Sequence, residues 1–180
     1  MSDCPSGEQT RAPAPRRAAA IALAVLLIDQ MTKALVVSAW QPGSAGTTVI
    51  PGFFRLVHFR NRGGAWGIFG NYPWALTIFS ILALGFLVLR FHHFVEGSRV
   101  RAVFLALIMG GILGNLVDRL LRGEVVDFLY FWLGRFHWPA FNVADSAICI
   151  GVGGFILASL VRCGEEPALA GQDASEGAAD

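Results

Sequence analysis

The sequence predicts a membrane protein, mainly α, with four transmembrane helices and a small β piece resting on one membrane surface. Three observations predict it. The chain is 54% hydrophobic and only 15% charged, with a mean hydropathy of +0.56, whereas soluble domains are about 45–50% apolar and about 25% charged. Its apolar residues are gathered into four runs, each near the ~20 residues that a helix needs to cross a bilayer. The stretch between the first two runs is aromatic, β-branched and too long for a simple turn. A length of 180 residues suits one domain, and a net charge of +1 gives no electrostatic footprint for nucleic acid.

The first span is expected over about Ala18–Val37, "AAAIALAVLLIDQMTKALVV". Its basic and apolar beginning, "RRAAAIALAVLLI", also fits a cleavable signal peptide. The apolar run nevertheless continues past Asp29 and Lys33, and three more spans follow, so a retained helix is the reading taken. The others are expected over about Tyr72–Phe91, Val100–Leu120 and Phe141–Leu160. Residues 1–17 and 163–180, small, Pro/Arg-rich or acidic, read as disordered tails flanking a single domain over 18–162.

Orientation rests on the first helix. Arg11, Arg16 and Arg17 precede it, and Arg90, Arg99 and Arg101 lie between spans two and three. Both places, and with them both termini, should face the cytoplasm. The opposite side also carries arginines, among them Arg55, Arg60, Arg62, Arg119, Arg122 and Arg135, so the overall bias is nearly even. These outer arginines need partners: carboxylates, lipid phosphates or substrate.

The outer segment of about 40–71 reads as short strands with a glycine turn at Gly63 and Gly64. An open sheet edge cannot sit in lipid. The piece is therefore expected at the water interface, with Trp40, Trp66 and Trp74 at headgroup level. Leu121–Ala140 carries Tyr130, Trp132 and Trp138 in the same manner.

Against this apolar background, polar residues gather at the outer ends of the spans: Asp29 and Lys33, Asn61, Asn115 with Asp118 and Arg119, Asp127, and Asn142 with Asp145. Positions three and four apart share a helix face. Three separate segments thus aim polar groups at one depth, where ionisable side chains cost about 2.5–3.5 kcal/mol each on insertion scales. Each group has a plain structural reading. Asp29 and Lys33 can be a helix ion pair, Asp118 and Arg119 a headgroup anchor, and Asp127 a solvated loop acid. Asn142 can be an N-cap with Asp145 in the first turn. Together these readings leave too many costly groups on one level.

Two acids in such a frame permit peptide hydrolysis. Carboxyl groups held close together cannot both ionise easily and share a proton. The ionised one activates a water and the protonated one polarises the carbonyl. His58, His92, His93 and His137 lack a nucleophile beside them, and Cys4, Cys149 and Cys163 show no metal-ligand spacing.

"DQMTK" (29–33), "RNRGGAWGIF" (60–69), "GGILGNLVDRLLRGEVVDF" (110–128) and "FNVADSA" (141–147) resemble, in order, the motifs of bacterial lipoprotein signal peptidase, signal peptidase II. The resemblance covers about Leu23–Leu160. It implies an aspartic endopeptidase of the bacterial inner membrane, with both termini cytoplasmic and the active site near the periplasmic face. Such an enzyme removes the signal peptide from diacylglyceryl-modified prolipoproteins, cutting just before the lipidated cysteine. It implies no metal and no organic cofactor, a monomer among membrane lipids, inhibition by globomycin, and a periplasmic β cradle at about 40–71. By the same resemblance Asp127 and Asp145 are the catalytic pair. Asn115, Asp118, Arg119 and Asn142 support the site or contact ligand, and Asp29, Lys33 and Asn61 lie near it. Arg119 and Arg62 above all are expected to hold lipid phosphates or peptide carbonyls. The loop motif is commonly "RNTGAA"; here Arg62 and Gly64 replace its threonine and first alanine. A proton-coupled transporter and a non-enzymatic membrane scaffold are the alternative classes. Against the transporter, the acids cluster at the outer face, away from the midplane, and the two halves show no repeat. The GxGD signature of other intramembrane aspartyl proteases is absent.

Overall fold

A computed structural model describes residues 15–63 and 72–163. The expected tails for the most part, and Gly64 and Trp66, lie outside the described residues. Helix α1 covers Pro15–Ala39. Its apolar side chains Leu23, Leu27, Met31 and Leu35 are exposed, while its buried positions are Ala18, Ala22, Asp29, Lys33 and Val36. An apolar outside over a small and charged inside is the pattern of a helix bathed in lipid. Helix α2, Pro73–Leu89, opens on a proline, which suits a first turn whose N–H groups have no helical partner. A short helix α3, Phe91–Val95, follows. Helix α4 runs from Arg99 to Arg122, capped by Ser98, whose side chain accepts the N–H of Arg101 at 3.3 Å. It stops at Gly123, whose φ of 73° is the left-handed conformation that favours glycine. Helix α5 covers Val143–Cys163.

Helices α1, α4 and α5 are long and apolar enough to cross a membrane. At 17 residues, α2 lies at the short end of the spanning range. Helix α4 is central, packing on both α1 and α5. The "GGILG" run makes this possible. A β-carbon on Gly111 would collide with the carbonyl oxygen of Ala144 in α5, and one on Gly114 would stand 2.6 Å from the Asp29 carboxylate of α1. Small residues at such crossings let membrane helices approach closely.

The sheet is antiparallel, in the order β1 (Thr47–Ile50), β2 (Phe54–Asn61), β3 (Val125–Leu133) and β4 (Phe136–His137). The turn joining β1 and β2 lies at residues 51–53, where Gly52 has φ of 75°; the glycine turn expected at Gly63 and Gly64 falls where the described residues end, with Gly63 in a bend and Gly64 outside them. Half of the sheet comes from the second outer segment, to which the sequence reading assigned no strand. The register sets Phe59 opposite Asp127 and Asn61 opposite Val125. His58 fastens the cradle to the membrane helices. Its ring is 1% exposed, and its Nδ1 lies 2.7 Å from the carbonyl oxygen of Trp40, just past the end of α1. Because that oxygen can only accept, Nδ1 carries the proton.

Two apolar clusters bracket the molecule. Ala18, Phe91, Val95, Ala102, Leu105 and Ala106 form one, and Val36 of α1 with Val126 and Phe128 of β3 forms the other. Among the buried polar residues, Arg101 lies beside the first, next to Ala102, whereas Asp127 lies between Val126 and Phe128 of the second.

Candidate active site

The lowest layer of the site is a closed set of charges. Asp29, Lys33 and Asp118 are all 0% exposed. One helical turn separates Asp29 from Lys33, so the lysine ammonium lies 2.8 Å from the Asp29 carboxylate. It also lies 2.8 Å from Asp118 on α4 and donates to Asn115 Oδ1 at 3.1 Å. Those three partners use all three ammonium donors. The second Asp29 oxygen accepts the N–H of Ala144 at 2.9 Å, in the first turn of α5, where a helix has unpaired donors and a positive dipole end. Asp118 further accepts from Arg122, one turn on, from the side chain of Gln30 at 3.3 Å and from the N–H of Val126 at 3.3 Å. Two cations thus meet two carboxylates with their remaining valences filled, the condition under which buried charges are tolerated. The expected Asp29–Lys33 ion pair is present, but it is one side of a bridge between α1 and α4. Asp118 is no headgroup anchor; it is wholly buried.

Two asparagines carry this order upward. Asn115 Oδ1 accepts from Lys33 and, at 3.2 Å, from Asn142, so its amide nitrogen is left to donate to Asp145 Oδ1 at 2.7 Å. Lysine can only donate, which fixes the orientation of that amide. Asn142 is the N-cap of α5. Its Oδ1 accepts the N–H of Asp145 at 3.0 Å, and Asp145 Oδ2 accepts the N–H of Asn142 at 3.2 Å. This is a reciprocal capping box, with aspartate in the position usually held by glutamate. The Asn142 amide nitrogen donates to Asp127 Oδ1 at 2.8 Å. Asp127 stands on β3 and is 3% exposed. Its other oxygen accepts from Asn61 at 3.0 Å, whose own Oδ1 accepts the N–H of Gly63 at 2.9 Å.

Both carboxyl groups open on one cavity of about 890 Å³, also lined by Asn61, Asn115 and Arg119. Burial pushes the Asp127 carboxyl up to about 7, and repulsion from Asp145 adds to it; hydrogen bonds from Asn61 and Asn142 pull the other way. Arg119 NH1 donates to the Asn115 carbonyl at 3.4 Å, and its buried Nε has no partner among the described residues.

All nine residues singled out in the sequence converge here: Asp29, Lys33, Asn61, Asn115, Asp118, Arg119, Asp127, Asn142 and Asp145. Gln30 and Arg122 belong with them and were not singled out. Gln30 donates to Asp118 and to the Gly114 carbonyl, and accepts from Arg122 at 3.4 Å. The one-turn spacing of Asp118 and Arg122 was a usable signal for the arginine; nothing in the pattern marks Gln30 beyond its place next to Asp29.

Residues 21–161 match the family model described as Signal peptidase (SPase) II. Over 159 residues the chain is 45% identical to the lipoprotein signal peptidase of Azoarcus sp. (strain BH72), covering 85% of this chain and 87% of that protein. It is 43% identical over 141 residues to that of Syntrophotalea carbinolica, covering 77% and 87%. Two solved structures, each described as a bacterial membrane enzyme determined by the in meso method, share the fold. One aligns with a TM-score of 0.80 at 31% identity, covering 94% of this chain and 98% of that one. The other aligns at 0.74 and 35%, covering 84% and 97%.

Proposed function

Because the chain belongs to the signal peptidase II family, a family of lipoprotein signal peptidases carried as multi-pass proteins in the bacterial inner membrane, we propose that it is an aspartic endopeptidase whose catalytic pair is Asp127 and Asp145. Its substrates are prolipoproteins already bearing a diacylglyceryl group, and the cut falls just before the lipidated cysteine. The observation that carries this reading is that two carboxyl groups on different elements share one cavity and are bridged by Asn142.

One proton is shared by the pair. The ionised carboxylate takes a proton from a water as its oxygen attacks the carbonyl carbon before the cysteine. The protonated partner gives its proton to the carbonyl oxygen, and a proton then reaches the leaving amine as the C–N bond breaks. The raised Asp127 carboxyl fits a pair that still holds one proton near neutral pH. The buried charges around Lys33 touch no substrate; they hold Asn115 and the start of α5, and so aim Asp145. Arg119 stands at the cavity with a guanidinium suited to peptide carbonyls.

The orientation proposed puts both termini in the cytoplasm and the cavity near the periplasmic face. The substrate is part membrane helix and part acyl chain, so entry sideways from lipid avoids exposing apolar surface to water. The protein works as a monomer among membrane lipids, and globomycin inhibits it.

Mass spectrometry of the products tests the reading. Purified protein in nanodiscs should convert a diacylglyceryl-modified prolipoprotein into a signal peptide ending just before the cysteine and a chain beginning at the lipidated cysteine. Globomycin should stop this, and the unlipidated precursor should stay uncut. A cut elsewhere, or equal cutting of the unlipidated form, contradicts it.

A further inference from the structure

The cavity has two unlike walls. The helices supply Asn115, Arg119 and Asp145, and the cradle supplies Arg60 and Arg62 at its rim. Asn61 pairs with Val125 across the sheet, so the residues just beyond that pair, Arg62 and Glu124, come face to face. Glu124 is 8% exposed. It accepts from Arg60 at 2.8 Å and from Arg62 at 3.5 Å. Two guanidinium groups share one carboxylate, which leaves the rim an excess of positive charge. Arg60 is held at the distance of a full charge-assisted hydrogen bond. Arg62 reaches the same carboxylate only at the limit of a contact, and 74% of its side chain is exposed.

On the peptidase reading above, the substrate has three parts. The signal helix and the acyl chains belong to lipid. The mature chain behind the cysteine is polar and must leave toward water, past the cradle. We propose that Arg62, set by Glu124 and Arg60, is a specificity residue for the first residues of that mature chain, favouring acidic side chains there and disfavouring basic ones.

An exposed ion pair shifts an equilibrium by about 1.4- to 5-fold. Exchanging an acid for a base replaces attraction with repulsion, so the discrimination expected is on the order of tenfold. The test uses diacylglyceryl-modified substrates that are identical except for Asp, Asn or Lys at the second to fourth positions after the cysteine. Each enzyme is read by its own Asp-to-Lys ratio of kcat/KM, in which any inactive fraction cancels. In zwitterionic nanodiscs at low salt, the wild-type ratio should be about tenfold and should shrink at about 0.5 M salt. Arg62→Thr should bring it within about twofold and Arg62→Glu should invert it. Glu124→Gln should raise it, because one negative charge leaves the rim.

A wild-type ratio near one, or a ratio unmoved by Arg62→Thr, overturns the inference, while cleavage of the Asn substrate leaves the peptidase reading standing. Failure to cut all three substrates sinks both. If Arg62→Thr slows all three equally, and only in nanodiscs of anionic lipid, the rim holds lipid headgroups and the inference is wrong.

Discussion

Asn142 donates its side-chain amide to Asp127 at 2.8 Å, and through the same side chain it caps the helix that carries Asp145. One residue therefore sets the position of both carboxyl groups. Asn142→Ala removes the cap, for about 1 kcal/mol of stability, and one donor to Asp127. kcat should fall by about 100-fold or more, with KM changed little. Asn142→Ser keeps a capping oxygen but cannot reach Asp127 with an amide. Thermal unfolding should return toward wild type in that variant while kcat stays low. Recovery of both together would mean that the cap alone matters.

Lys33 is the only cation touching Asp29, among the described residues, whereas Asp118 also meets Arg122. Lys33→Met should cost about 3–5 kcal/mol, since it leaves a buried carboxylate uncompensated. Adding Asp29→Asn should restore much of that, because Asp118 keeps Arg122. Unfolding temperatures of the single and double variants in detergent check the order. A double variant less stable than Lys33→Met would contradict the charge count.

The Asp127 carboxyl titrates near 7 in the folded protein, against 3.8 for an ordinary aspartate. A folded value above the unfolded one means that the folded state binds the proton more tightly. The resulting stability is fully present below about pH 3.8 and is lost as pH rises to about 7. Asp127→Asn removes this dependence. The unfolding temperature of the variant, minus that of wild type, should therefore grow between pH 4 and 7 and level off above. For the same reason kcat should fall as pH rises through the region of 7, where the shared proton leaves the pair.

The helices were legible in the sequence because the bilayer leaves few choices: long apolar runs, interrupted only where a polar group has a purpose. The polar layer was legible for the same reason, since Asp29, Lys33 and Asp118 stand out against lipid. The third strand was not. "VVDFLYFWL" shows no alternation, because a strand with partners on both edges and apolar surroundings has no polar face to mark it. Its main partner, β2, lies far away along the chain, and no local signal announces that pairing. The β1–β2 turn at residues 51–53 was not named in the sequence reading, although Pro51 and Gly52 are both good turn residues. Gln30 and the Arg62–Glu124 contact were missed because each depends on which elements meet in space, whereas Arg122 could have been found from its one-turn spacing to Asp118. The capping reading of Asn142 and Asp145 is met by the geometry, and it does not compete with the proposed site, since the same cap fixes the position of the acid.

The most direct test of the central claim compares three proteins. Wild type, Asp127→Asn and Asp145→Asn are purified, checked for equal thermal unfolding cooperativity, and assayed on the same diacylglyceryl-modified prolipoprotein in nanodiscs. Each amide is close in shape to the acid it replaces but neither takes a proton from water nor gives one in the same way. Cleavage by wild type, with kcat reduced by about 1,000-fold or more in each folded variant, is the result predicted. A folded variant that still cleaves at a rate near wild type would remove that aspartate from the pair and contradict the account.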